Sequence, residues 1–202
     1  MPLIRGDRGA AAAGATAPAP PALDSSDAES RWAAARSLAG QAEAVPELAA
    51  ALRRETVARV REAILTSLIR TGDTASAEAI VPCLRSQDAR LRAAAIEALQ
   101  ALPSALTPIL ARLFNDPESD VRLLATELAR NMKASDATRL LCGLIENEPH
   151  PNVCAAAIEV LAEVGTAEAL PALERCAVRF TATPFLPFAI SMAIARISGA
   201  KV

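Results

Sequence analysis

The sequence predicts an all-α protein, an α-solenoid of about five helical-hairpin repeats, and three observations predict it. An apolar stripe recurs at a nearly constant interval along the chain. The apolar content is alanine, leucine, isoleucine and valine, with aromatics at only 2%. No stretch alternates apolar and polar residues with the period of two that a half-buried strand needs. Alanine and leucine lose little freedom in a helix, and small side chains let helices pack closely. At 202 residues and 52% hydrophobic, the chain can bury a sizeable core.

Residues 1–23 come first and are rich in Ala, Pro and Gly. Gly14, Pro18, Pro20 and Pro21 interrupt the apolar run that a secretory signal requires, and they are incompatible with a helix. The segment reads as a disordered tail, and residues 24–202 as the solenoid. The stripes follow. Ser30-Arg31 leads to Ala34 and Leu38, Val60-Arg61 to Ile64 and Leu68, and Leu91-Arg92 to Ala95 and Leu99. Val121-Arg122 leads to Ala125 and Leu128, and Val153-Cys154 to Ala157 and Leu161. The starts are spaced by 30, 31, 30 and 32 residues. Each interval holds two helices, the second carrying the stripe and the first leading up to Leu84, Leu113 or Ile145. Polar turns at residues 85–88, 115–120 and 146–152 separate them. Asp88, Ser119 or Asp120, and Asn152 are the expected N-caps, and Gly72 and Gly165 the expected left-handed ends of the second helix.

The phrases VPELAAALRRETVARVREAILTSLIRTGD and LARLFNDPESDVRLLATELA resemble HEAT repeats of the bacterial PBS-lyase HEAT-like kind. The resemblance covers roughly residues 27–199. It implies that the second helices line a concave face. It also implies that the arginine after the hydrophobic position pairs with an acid of a preceding turn, forming a ladder. Arg61, Arg92 and Arg122 stand at that position, with Asp88, Asp116 and Asp120 as candidate partners, and Cys154 replaces the arginine in the fifth unit.

The net charge of -2 and pI of about 5.6 give no reason to expect a nucleic-acid or anionic-membrane partner. No stretch is apolar and uncharged for the ~18 residues of a membrane span, so the protein is expected in the cytoplasm. The single histidine, His150, lies between Pro149 and Pro151 and supplies neither a metal cluster nor a catalytic triad. No phosphate-binding glycine loop is present. No enzyme and no cofactor are therefore expected. Cys83, Cys142, Cys154 and Cys176 form no CxxC pair; they read as small buried hydrophobes rather than a thiol or zinc cluster completed by His150.

A protein partner is expected instead. If the stripe is buried, positions two, six and nine residues on face the groove. Glu97, Glu127 and Glu159 then form an acidic ridge rising about 10 Å per repeat. Trp32, Leu123, Ile69 and Arg130 lie beside it. This ridge suits a helix or loop carrying basic and apolar residues; the competing reading is three solvated, helix-favouring glutamates. Arg53, Arg54, Arg59, Arg61 and Arg70 read as a solvated surface plus one ladder arginine. The resemblance implies an adaptor in bacterial signalling, the alternative being a lyase or chaperone-like accessory protein acting on a cofactor-bearing protein. In the last unit, Phe180, Phe185 and Phe188 are expected to fill a tapering cap core; the alternative is a homodimer through the apolar C-terminal helix.

Overall fold

The computed structural model describes residues 22–181 and 183–199. The expected tail therefore lies outside the described residues up to position 21, while Leu23 is buried in the core. Eleven α-helices and no strand occur among the described residues. They are α1 (Ala28–Ser37), α2 (Val45–Arg54), α3 (Ala58–Thr71), α4 (Thr74–Ile80), α5 (Ala89–Gln100) and α6 (Pro103–Leu113). After these come α7 (Ser119–Leu128), α8 (Ala134–Asn147), α9 (Pro151–Val164), α10 (Leu170–Arg179) and α11 (Phe185–Ile197).

Local chemistry sets the ends. Pro46, Pro103, Pro151 and Pro171 sit in the first turns of α2, α6, α9 and α10, where a missing N–H costs nothing. Pro82 cannot extend α4, and the chain tightens into a 3-10 turn over Val81–Arg85. Asp27, Asp73 and Asp88 cap α1, α4 and α5 by accepting backbone N–H groups. The other expected caps are displaced. Ser119, Asp120 and Asn152 fall inside the first turns of α7 and α9, whose capping positions are Glu118 and His150. The His150 N–H is accepted by Glu148 at 2.8 Å instead.

The two glycines also differ. Gly72 ends α3 at φ 75, in the left-handed region. Gly165 is extended, and its reason is space: a Cβ there would meet the Leu161 carbonyl oxygen at 2.3 Å.

The odd-numbered helices stack in one layer, each on the next from α1 to α11. The even-numbered helices form a second layer, α2 on α4, α4 on α6 and α8 on α10. Helices α2 to α11 make five consecutive hairpins, preceded by α1. The stripe residues fill the space between layers. Val60, Ile64, Leu68, Val121, Ala125, Leu128, Val153, Ala157 and Leu161 are all buried. Leu38, on the end helix with one odd neighbour, is half-buried, and so is Leu91. Burying a leucine or isoleucine contributes roughly 1.5–3 kcal/mol. The Ser67 hydroxyl donates across to the Ala35 carbonyl at 2.7 Å, tying α3 to α1.

Candidate protein-binding face

The repeat arginines fix how one unit meets the next. Each reaches back six residues to close the turn before its own helix. Arg31 donates to the Ser25 carbonyl (2.9 Å), Arg61 to Glu55 (2.7 Å), Arg92 to Ser86 (2.6 Å) and Arg122 to Asp116 (2.8 Å). The Cys154 thiol occupies the same place, 3.5 Å from the Glu148 carbonyl. Arg179, on α10, donates to that carbonyl as well, and to those of Ile145 and Glu146.

Three arginines also reach forward to a carboxylate of the following turn. Arg31 grips Glu55 at 2.7 and 3.1 Å, Arg61 meets Asp88 at 2.7 Å, and Arg122 grips Glu148 at 2.6 and 2.8 Å. The acid therefore lies after the arginine, where a preceding turn was expected. Asp88 serves Arg61 rather than Arg92. Asp116 gives its carboxylate to Arg85, and Asp120 makes no ion pair among the described residues.

Hydrogen bonds from Arg31 hold the Glu55 carboxyl below its ordinary range despite burial. Burial pushes Glu148 up, but the Arg122 hydrogen bonds, the His150 amide and the Arg122 charge outweigh it, and its carboxyl also sits low. Glu55 and Glu148, buried and unremarked in the sequence, carry the interlocks; their position three residues ahead of a helix start is the only signal for them.

On the exposed side of the odd layer, the residues of the expected ridge divide. Glu97 and Glu159 are exposed and Glu127 is half-buried. Arg130 binds Glu127 at 2.8 Å, lies 3.6 Å from Glu159 and pairs with Glu163, which the pattern did not single out. The Glu127 and Glu163 hydrogen bonds raise Arg130 above its ordinary value, and Glu163 is lowered in return. So the structure brings Glu127, Glu159 and Arg130 together in one network and leaves Glu97 outside it. Ile69, Leu123 and Trp32 are half-buried and pack against the core.

At the other end of this face, α1 and α3 build a different surface. The guanidiniums of Arg36 and Arg59 lie over the Trp32 ring, 4.5 and 4.4 Å from its centre. Arg59 is paired with Glu29 at 2.6 Å. Together with Thr66, Arg70 and the exposed carboxylate of Glu62, these residues line a groove of about 390 Å³ in which three guanidiniums outnumber one acid. Arg36 and Arg70 are exposed and have no acidic partner among the described residues. Of the arginines read as a solvated cluster, Arg61 belongs to the interlocks and Arg59 and Arg70 to this groove.

Two further surfaces lie elsewhere. A cleft of about 730 Å³ opens between α6 and α8, lined by Ala111, Phe114, Leu140 and Leu144 among others. In α11, Leu186, Ile190 and Ala193 face the core, while Phe185 (48%), Phe188 (68%) and Met192 (37%) stand exposed in a strip. Only Phe180 packs against the core, so the expected aromatic cap is wrong for Phe185 and Phe188. The helix is apolar all round, and periodicity could not choose its buried side. Cys83, Cys154 and Cys176 are buried and Cys142 is half-buried, its thiol pushed up by burial to about 11. No helix among the described residues is long and apolar enough to cross a membrane.

A family model of HEAT repeats matches residues 18–100 and 106–180. The "PBS-lyase" kind is not distinguished by that match. No curated protein matches the chain. Among solved structures, it is similar to a designed armadillo repeat protein at 16% identity, covering 87% of this chain and 96% of that one with a TM-score of 0.41. It is also similar to an engineered protein at 19% identity, covering 88% and 94% with a TM-score of 0.43.

Proposed function

The chain belongs to the HEAT-repeat family, and from that premise we propose that it is a non-catalytic scaffold that binds a partner protein on the exposed face of its odd-numbered helices. The observation that carries this reading is the segregation of charge on that face. Glu97, Glu127, Glu159 and Glu163 gather over α5, α7 and α9, with Arg130 among them. Over α1 and α3 the balance is reversed, with Arg36, Arg59 and Arg70 outnumbering Glu29 and Glu62. A face serving only as a solvated surface has no reason to sort its charges along its length, whereas opposed potentials orient an incoming partner. Half-buried apolar edges occur in both halves, Trp32 and Ile69 on α1 and α3 and Leu123 on α7, and offer contact that excludes water. In this reading the acidic half receives a basic, apolar-bearing helix or loop of the partner.

Affinity capture from a native lysate tests it, comparing the wild type with the Glu97→Lys, Glu127→Lys, Glu159→Lys triple variant and identifying retained proteins by mass spectrometry. A stoichiometric protein retained by the wild type and lost by the variant is the expected result. Equal retention by both moves the site off this face. Retention by neither removes the support for a scaffold.

A further inference from the structure

The groove at Trp32 is not explained by a partner that is basic throughout. Arg36 and Arg70, which have no acidic partner among the described residues, stand on adjacent helices and line a space of about 390 Å³ with the indole and the single carboxylate of Glu62. Arg59 is already held by Glu29, and its remaining role is to stack on the indole beside Arg36. From α5 to α9 the balance on this face turns acidic: Arg130 is surrounded by three glutamates, and Arg90, which stands at the start of α5 where Arg59 stands in α3, is outnumbered by Glu97 and that cluster.

We propose that the groove between α1 and α3 binds an acidic segment of the partner protein, with carboxylates on Arg36 and Arg70 and an apolar side chain against Trp32. The inference rests on the scaffold reading above and gives it a direction: the acidic end of the bound segment lies over α1 and α3, its basic end over α5 to α9. Guanidinium groups match carboxylates through paired N–H donors, so two of them on separate helices recognise two acids at a fixed separation. Arginine and tryptophan are also the side chains that most often dominate a protein interface.

Charge complementarity favours an acidic protein segment over nucleic acid. A polyanion continuing along the face would meet Glu97 and then the Glu127, Glu159 and Glu163 cluster within a few repeats, and be repelled. A protein segment whose charge changes sign along its length is not.

Trp32 is the only tryptophan in the chain, so its fluorescence reports on this groove alone. The probe is a synthetic amidated peptide, Asp-Glu-Leu-Asp-Glu-Leu, titrated into the full chain at low and at physiological salt. A saturable change in emission, weaker at higher salt, is expected. The Arg36→Glu, Arg70→Glu variant should bind it about tenfold more weakly or worse, with helicity unchanged by circular dichroism. Arg53→Glu, Arg54→Glu reverses two exposed arginines outside the groove and should bind as the wild type does. The proposal is overturned if the peptide leaves the emission unchanged. It is equally overturned if the Arg53, Arg54 variant loses as much affinity, or if oligothymidylate of equal charge binds as tightly. These outcomes leave the capture experiment untouched: a partner lost by the glutamate variant while the acidic peptide fails here keeps the scaffold and removes only the acidic site.

Discussion

Replacing Glu148 by alanine should unfold the junction between the third and fourth hairpins, and the size of the effect follows from burial. The carboxylate is 1% exposed and Arg122 13% exposed, joined by two hydrogen bonds of 2.6 and 2.8 Å. The same carboxylate takes the His150 N–H. Removing it leaves the guanidinium with only the Asp116 and Pro117 carbonyls. Breaking one partner of a buried pair costs about 3–5 kcal/mol. Arg122 retains some access to water, so we take the lower end, about 3 kcal/mol, which for a chain of this size lowers Tm by roughly 6–12 °C.

A control with like geometry and different burial isolates the cause. Arg59 and Glu29 form the same two-point pair at 2.6 and 3.3 Å, but are 59% and 60% exposed. Glu29→Ala should therefore cost no more than about 1 kcal/mol. Urea unfolding at neutral pH, followed by circular dichroism, measures both. The reasoning fails if Glu148→Ala costs under about 1 kcal/mol, or if the two variants lose equal stability. The double variant with Arg122→Met should recover part of the loss, because no guanidinium is then left buried without its acid.

Four other outcomes are expected. Glu55 and Glu148 have carboxyls below their ordinary value of 4.5 when folded, so their contribution is present above that pH and lost as pH falls through the lowered values. Acid unfolding monitored by ellipticity should accordingly be shallower in Glu55→Gln, Glu148→Gln than in the wild type. Gly165→Ala should destabilise by about 1–3 kcal/mol, since its Cβ meets backbone at 2.3 Å, whereas Gly143→Ala, with nothing within 4 Å in the middle of α8, should stabilise by roughly 0.5–1 kcal/mol; thermal melts of the two distinguish them by sign. Asp73→Ala should cost about 1 kcal/mol by freeing the Ser76 N–H at the start of α4, measured the same way. If the acidic half receives a basic segment, Arg130→Gln should strengthen capture of that partner, because the internal cation competing for Glu127, Glu159 and Glu163 is gone; weaker capture would count against the acidic site.

The solenoid was legible because its signal is repeated. A spacing near 31 residues, recurring four times, survives the ambiguity of any single helix, and the stripe at Val60, Ile64 and Leu68 is the buried one. The face was partly legible by the same arithmetic, which put Glu127, Glu159 and Arg130 on neighbouring positions. What periodicity could not see was pairing. Arg130 cancels part of a ridge that reads as uniformly acidic, and Arg36, Arg59 and Trp32 meet only when α3 is laid beside α1. Nor could it resolve α11, where Phe185 and Leu186 are equally apolar and only the neighbouring α9 decides which is covered.

The interlocks and the proposed binding face share the same helices. In a solenoid each unit touches only its neighbours, so the alignment of exposed positions along the face is set junction by junction. Glu55 joins α1 to α3 by accepting from Arg31 with its carboxylate and from Arg61 with its carbonyl. The groove of Trp32, Arg36 and Arg70 spans that same junction. Glu148 does likewise for α7 and α9, the helices that bear Glu127 and Glu159. At the α9 junction the arginine has become Cys154, whose thiol at 3.5 Å is a weak donor, and Arg179 enters from the even layer to serve the Glu148 carbonyl. The structure thus keeps the donor to that carbonyl although the sequence position that supplies it has changed. A variant that loosens either glutamate should therefore misalign the charges above it as well as lower stability. Glu55→Gln should weaken the response of Trp32 to the acidic peptide with Arg36 and Arg70 intact, and an undiminished response would mean that the junction and the face are energetically independent.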